Sequence, residues 1–248
     1  MAAAVKLHRQ KLRRREARFL AEGPNLVEAA LQRGLVSEVF ATEAAAERFG
    51  WLLTDVPVQL VTDRAAKALS DTVTPVGLVA VCSVPETMLS DVLASGPRLV
   101  AVAVEISEPG NAGTLIRVAD AMGADAVVLA GHSVDPYNGK CLRASAGSIF
   151  SIPVVSDDDA ASAVKALCAA GMHVLATTVD GEISLDDADL SAPTAWLFGP
   201  EAHGLPPELA DLATHRMRIP MPGNAESLNV ASAAAICLYQ SAKAHRRA

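Results

Sequence analysis

Little in this chain is aromatic: Phe, Trp and Tyr together make up 4% of its 248 residues. Reading single-stranded nucleic acid by base stacking therefore has few side chains to work with. No apolar run approaches the roughly 20 residues that a membrane-spanning helix needs, and the longest compact one, Leu99 to Ile106, is strand-sized. The four cysteines, Cys82, Cys141, Cys168 and Cys237, lie far apart with no C-x-x-C pair. That spacing supports neither a zinc site nor a disulfide framework, and each is expected to be a small buried hydrophobe in a reducing compartment. The histidines are scattered, with no H-E-x-x-H, so metal catalysis has no support. A basic excess is missing as well. The net charge of −7 argues against a generic nucleic-acid binder, because neutralising phosphate needs a basic face.

What is present is a large apolar share, 51%, beside 20% charged residues. That composition allows a sizeable core and excludes wholesale disorder, while the length permits one large domain or two smaller ones. The average charge hides an asymmetry near the N-terminus, where Lys6, Arg9, Lys11, Arg13, Arg14, Arg15 and Arg18 face only Glu16. No apolar segment follows to make this a secretory signal, and acids at Glu16 and Glu22 arrive early for a transit peptide. A cytoplasmic protein is expected. The basic run reads either as a solvated helix face or frayed arm, or as a patch that tracks phosphates.

Behind it, a turn at Gly23-Pro24 precedes apolar residues at helical spacing, Leu26, Ala29 and Ala30. Val36 to Thr42, Val58 to Val61 and Gly77 to Cys82 read as short strands with helices between. The fold class is α/β, organised as a small domain over 1–85, a linker over 86–97 where the periodicity lapses, and a larger domain over 98–248. The larger domain opens with the apolar strand Leu99 to Ile106. Helices from about Thr114, Asp157, Pro206 and Ser227 then alternate with strands at Ala126, Met172, Ala195 and Arg216. Apolar strands alternating with helices predict a parallel sheet covered on both faces.

In such a sheet ligands bind beyond the carboxyl ends of the strands, and three loops there stand out. Ser107-Glu-Pro-Gly-Asn-Ala-Gly-Thr-Leu-Ile-Arg117 has glycines that let backbone approach a ligand, and an amide, Asn111, near a helix start. It lacks G-x-G-x-x-G, which weakens a nicotinamide-dinucleotide reading. Arg117 beyond it reads equally as a surface ion-pair partner. Leu197-Phe-Gly-Pro-Glu-Ala-His-Gly-Leu-Pro-Pro207 presents Glu201 past a strand end, either as a solvated turn residue or on a loop stiffened by its prolines. Ile219-Pro-Met-Pro-Gly-Asn-Ala-Glu-Ser-Leu-Asn-Val230 sets Ser227 and Asn229 before a nearly all-apolar helix. Both are ordinary N-caps, but one cap is enough, which leaves the other to explain.

These stretches resemble motifs one, two and three of the SpoU branch of the SPOUT RNA methyltransferases, in the same order and spacing. Leu142-Arg-Ala-Ser-Ala-Gly-Ser-Ile-Phe-Ser-Ile-Pro153 resembles a further family stretch. Phe19-Leu-Ala-Glu-Gly-Pro-Asn-Leu-Val-Glu-Ala-Ala-Leu31 resembles the N-terminal substrate-binding domain of ribosomal-RNA members. The resemblance implies an L30e-like N-terminal domain and a catalytic domain with a deep trefoil knot. It also implies a homodimer through the C-terminal domain and methyl transfer from S-adenosylmethionine, without a metal, to a ribose 2′-hydroxyl. The RNA expected from it is 23S ribosomal RNA, with transfer RNA as the runner-up and a non-catalytic RNA-binding or ribosome-assembly role as the competing class.

By position, Asn111, Arg117, Glu201, Ser227 and Asn229 match the family's functional residues, and Gly199, Ile219 and Leu228 match those whose backbone surrounds the methyl donor. Glu108 stands where many members have Asp, and Pro200 where many have Asn. Arg13, Arg14, Arg15, Arg18 and Arg143 are the expected RNA contacts, since they supply a local basic field in an acidic chain. The closing helix, with Val230, Ala231, Ala234, Ala235 and Leu238, is assigned to core and dimer packing.

Overall fold

The computed structural model describes residues 1–200 and 202–246. Its first sheet holds β1 (Arg18–Glu22), β2 (Val36–Ala41), β3 (Val58–Leu60) and β4 (Leu78–Ser83) in the order β1-β4-β2-β3. β4 runs antiparallel to both neighbours, while β2 and β3 are parallel. Around it lie α1 (Ala2–Val5), α2 (Gln10–Glu16), α3 (Pro24–Gln32), α4 (Glu43–Arg48) and α5 (Asp63–Leu69). Local chemistry places the helix starts. Pro24 opens α3 after Gly23 at φ 88°, and the hydroxyls of Thr42 and Thr62 accept from the amides of Ala45 and Ala65.

The N-terminal run is not a frayed arm. It folds into α1, a 3-10 turn at Lys6–His8 and α2, because Ala4 and Leu7 bury beside Leu20, Phe40 and Leu69. β1 had no strand expectation, since Arg18 and Glu22 bracket too few apolar residues for an alternation to show; its pairing with β4 places it.

The second sheet is wholly parallel. It holds β5 (Leu99–Val104), β6 (Ala126–Ala130), β7 (Val154–Asp157), β8 (His173–Thr177), β9 (Ile183–Ser184), β10 (Thr194–Phe198) and β11 (His215–Arg218), in the order β7-β6-β5-β10-β8-β11-β9. Its helices are α6 (Leu89–Ala94), α7 (Pro109–Ala121), α8 (Gly139–Ser145), α9 (Ala160–Ala169), α10 (Pro207–Ala210) and α11 (Val230–His245). Every residue of β5 is buried, and its two faces divide cleanly. Leu99, Ala101 and Ala103 meet α7 and α11 on one side, and Val100, Val102 and Val104 meet α9 on the other. Two-sided burial is why the strand reads as a continuous apolar run.

Two expectations need correction. The segment expected as a linker carries α6, whose Val92 is buried against the second sheet's outer core. The first loop is largely helix: α7 starts at Pro109, with Glu108 capping it by accepting from the Gly110 amide at 3.3 Å. Gly113 accordingly serves packing rather than ligand approach. A Cβ there would lie 2.3 Å from the Cys141 carbonyl oxygen, so glycine lets α7 seat directly on α8.

The two sheets share one core. Phe19 of β1 lies 4.8 Å from the Tyr137 ring and 5.9 Å from that of Phe150, both in the larger domain. Arg13 is buried here, 5% exposed, with Nη2 2.6 Å from Asp135 Oδ2 and Nη1 donating to the carbonyls of Leu7 and His8. Its expected RNA contact is therefore withdrawn, since every direction its guanidinium faces is taken by protein. Arg143 pairs with Asp71 across the same junction, half-exposed, so it also holds the domains rather than standing free. No helix among the described residues is long and apolar enough to cross a membrane.

Candidate active site

Because the strands are parallel, the segments leaving β8, β10 and β11 gather at one edge of the sheet. They enclose a cavity of about 390 Å³ whose lining includes Gly199, Ile219, Ser227 and Leu228. All three expected donor-binding residues thus reach one space, within the size range of ligand pockets, about 300–1,000 Å³. Glycine at 199 is structurally required. A Cβ there would sit 2.5 Å from the Leu205 nitrogen and 2.6 Å from the Gly204 carbonyl carbon, and the loop closes on itself through the Gly204 amide, which donates to the Pro200 carbonyl at 2.9 Å. Gly181 makes a second close crossing, where a Cβ would lie 2.4 Å from the Met217 carbonyl carbon. Arg218 fastens it by donating to the carbonyls of Gly181 and Glu182.

The cavity wall combines apolar side chains, Phe198, Leu205, Met217 and Leu228 among them, with loop backbone. It also contains Thr178, whose Oγ1 is the single buried side-chain polar atom without a hydrogen-bond partner among the described residues. An apolar slot edged by backbone polar groups suits a nucleoside-bearing cosubstrate, so the residues present fit S-adenosylmethionine. Sequence reasoning missed the Thr177–Asp180 side of this cavity, because those residues read as the tail of a strand. Among the described residues no cluster of His, Cys, Asp and Glu could hold a metal ion.

Beside the cavity, the first and third motifs meet. Asn229 is the cap of α11: its Oδ1 accepts from the Ala231 amide at 3.0 Å, while its Nδ2 donates to Asn111 Oδ1 at 3.0 Å. One amide side chain therefore starts the last helix and grips the first turn of α7. Ser227 is left uncommitted to capping and faces the cavity.

Arg117 is not brought to this pair. At about 100° per residue, six positions along α7 turn it roughly 120° away from Asn111, and it stands exposed with no hydrogen bond or ion pair among the described residues. Glu201 lies outside the described residues. Glu108 uses its extra methylene to reach Lys140 on α8, with Nζ to Oε1 at 2.5 Å. The Lys140 hydrogen bond, followed by that from the Gly110 amide, holds its carboxyl below the usual range. Of the remaining basic candidates, Arg14 and Arg18 are exposed and unpaired among the described residues, and Arg15 pairs with Glu16 at 2.7 Å.

Comparison with known proteins bears directly on this arrangement. The model of the SpoU rRNA Methylase family matches residues 98–239. The chain belongs to that family. An MRM3-like substrate binding domain matches residues 2–80, so both halves of this SpoU protein have counterparts. It is 37% identical over 235 residues to the 23S rRNA (guanosine(2553)-2′-O)-methyltransferase RlmP of Bacillus subtilis, covering 94% of this chain and 92% of that one. To the 23S rRNA (uridine(2479)-2′-O)-methyltransferase of Streptomyces viridochromogenes it is 31% identical, covering 93% and 84%. The crystal structure of the SpoU methyltransferase AviRb from Streptomyces viridochromogenes with AdoMet superposes with a TM-score of 0.88 at 29% identity, over 97% of this chain and 95% of that one. The fold is that of SpoU methyltransferases, and as a member the chain is an S-adenosylmethionine-dependent RNA 2′-O-methyltransferase.

Proposed function

We propose that this protein methylates one ribose 2′-hydroxyl of 23S rRNA, acting as a homodimer in which residues 1–85 deliver the RNA to a catalytic domain over 98–248. The observation that carries the reading is the Asn111–Asn229 hydrogen bond beside a cavity lined by Gly199, Ile219 and Leu228. A full-length likeness that includes the N-terminal module favours ribosomal over transfer RNA. The relatives above act on a guanosine and on a uridine, so base identity does not pass to this chain with the fold.

Bound in the cavity, S-adenosylmethionine supplies an electrophilic methyl group on a sulfonium. The protein's task is to hold the 2′-oxygen in line and to ease loss of its proton. Positioning of this kind supplies about 7–11 kcal/mol in well-oriented systems. In this reading Ser227 on the cavity wall and Asn229, held by Asn111, hydrogen-bond the ribose or fix the loop. Arg117 contributes a guanidinium, a planar fork of hydrogen-bond donors suited to phosphate. It binds the adjacent phosphate and stabilises the developing alkoxide, while phosphate or water takes the proton. The part carried to Glu201 by the family likeness is to orient Arg117.

Two features support the dimer. Arg117 turns away from its own chain's Asn111, so a partner's site is where it completes the machinery. On α11, Ile236 and Tyr239 stand three residues apart with 37% and 49% exposure, an apolar face without a cover in one chain. The trefoil knot belongs to the same reading, supported by the tight crossings at Gly181 and Gly199. The test is transfer of tritiated methyl from S-adenosylmethionine to ribosomal and transfer RNA from a host lacking this protein, with the position mapped. One alkali-resistant linkage in 23S rRNA is expected. Label confined to transfer RNA overturns the substrate, and absence of donor binding overturns the chemistry in favour of a non-catalytic RNA-binding role.

A further inference from the structure

Between the two domains runs an open polar cleft of about 580 Å³, distinct from the donor cavity. His8 and Gln10 reach it from the N-terminal side, and Ser107, His132 and Asp158 from the carboxyl ends of β5, β6 and β7. The side chains of these residues make no hydrogen bond or ion pair among the described residues, although they come from both domains and converge. Arg14 stands exposed at the same cleft. Ser107 directly precedes Glu108, the cap of the helix that carries Asn111, so the cleft abuts the methyl-transfer machinery.

Its two walls are held in fixed relation. Arg13 and Asp135, both lining the cleft, have side chains only 6% and 10% exposed, and the second oxygen of Asp135 accepts from the Tyr137 amide at 2.9 Å. Behind them Phe19 packs tilted against Tyr137 and stacks on Phe150. Asp71 sits against Gly139, where a Cβ would lie 2.3 Å from its Oδ2. The receiving element, α8, is pressed in turn on α7 through Gly113. A substrate-binding module on a loose tether would need none of these contacts.

We infer that this cleft is an RNA subsite which reads the base edges of nucleotides flanking the target ribose, with Arg13 and Asp135 as positioning residues that keep its walls in register. The inference rests on the RNA methyltransferase reading above. The chemistry fits base edges better than bare phosphate. An amide, two imidazoles, a hydroxyl and a carboxylate offer donors and acceptors together, and Arg14 supplies one cation for the backbone. Fixed walls let the distance between cleft and active site select which ribose is methylated.

Two sets of variants test it, read by filter binding to unmodified 23S rRNA transcript and by mapping of the methylated position. Gln10→Ala and His132→Ala are each expected to weaken RNA binding about 5- to 20-fold, leaving S-adenosylmethionine affinity in calorimetry unchanged. Wild-type RNA affinity in both overturns the subsite. Asp71→Cys with Gly139→Cys places a reversible disulfide across the junction. If the walls are fixed, the oxidised protein binds RNA and selects its site as the reduced one does. Loss on oxidation that reductant restores overturns the positioning role. RNA binding is scored without turnover, so a wild-type protein that methylates nothing counts against the functional reading and leaves the binding outcomes of both sets readable.

Discussion

Removing one member of the Arg13–Asp135 pair is the sharpest energetic test of how the two domains are joined. In Arg13→Met the Asp135 carboxylate keeps its Tyr137 amide donor but loses both guanidinium contacts, at 2.6 and 2.7 Å, in a position 10% exposed. Breaking a buried pair by removing one partner typically costs about 3–5 kcal/mol, because the remaining charge stays desolvated. The carbonyls of Leu7 and His8 lose their donor as well, adding about 1 kcal/mol each where water cannot replace it. We therefore expect a loss of about 5–7 kcal/mol in urea denaturation, from the sum of those contributions, with the N-terminal module released first. Arg13→Met combined with Asp135→Leu is expected to recover most of the loss, since matched apolar groups can replace a buried ion pair. A single substitution costing under about 1 kcal/mol, the range of exposed ion pairs, would falsify the claim that the pair is desolvated.

Four further outcomes are expected. Arg117→Ala should abolish turnover with S-adenosylmethionine affinity in calorimetry within about twofold, as its role is on the RNA side; a large loss of donor affinity contradicts the assignment. Asn229→Ala should lower turnover and also destabilise the fold by about 1 kcal/mol, the value of a helix cap, visible as a shift in thermal unfolding. Gly199→Ala should lose donor binding, because its Cβ falls 2.5 Å from the Leu205 nitrogen; unchanged affinity means the loop does not form the cavity wall. Burial pushes the Cys82 and Cys141 thiols up to about 12, with the Asp135 charge adding to the latter, and pushes Cys237 up too. Each stays neutral and unreactive at pH 8, so native alkylation should reach only Cys168. The stability tied to these thiols is full below about 8.5, the unfolded value, and declines as pH climbs towards 12.

Much of the catalytic domain was legible in advance because its strands are buried on both faces. Leu99–Val104 and Ala126–Ala130 are apolar without interruption, as is 195–198 of β10, which marks them whatever their partners. The short strands β7 and β9 and helix α8 carry no such signature. Val154–Asp157 buries only its first two residues, and α8 is held by what packs on it. The basic run illustrates the opposite failure. Composition marked Arg13, Arg14, Arg15 and Arg18 as equivalent, yet a helix turn sends Arg13 inward to Asp135 while Arg14 and Arg18 stay in solvent.

The sequence by itself determined the α/β class and the placing of the three motif loops at strand ends, and it pointed to Gly199, Ile219 and Leu228 of the cavity wall, because hydrophobic period and turn chemistry are local properties. It also carried the family likeness, motif by motif. Only the tertiary structure decided that Asn229 rather than Ser227 caps the last helix, that Asn111 and Asn229 touch, that Arg117 faces away from them, and that the two domains close on a buried ion pair. Each of those depends on which elements lie side by side across more than a hundred residues of chain, as the separations of 118 between Asn111 and Asn229 and 122 between Arg13 and Asp135 show. Contacts at that range are set by the packing of whole sheets and helices, and no local pattern encodes them.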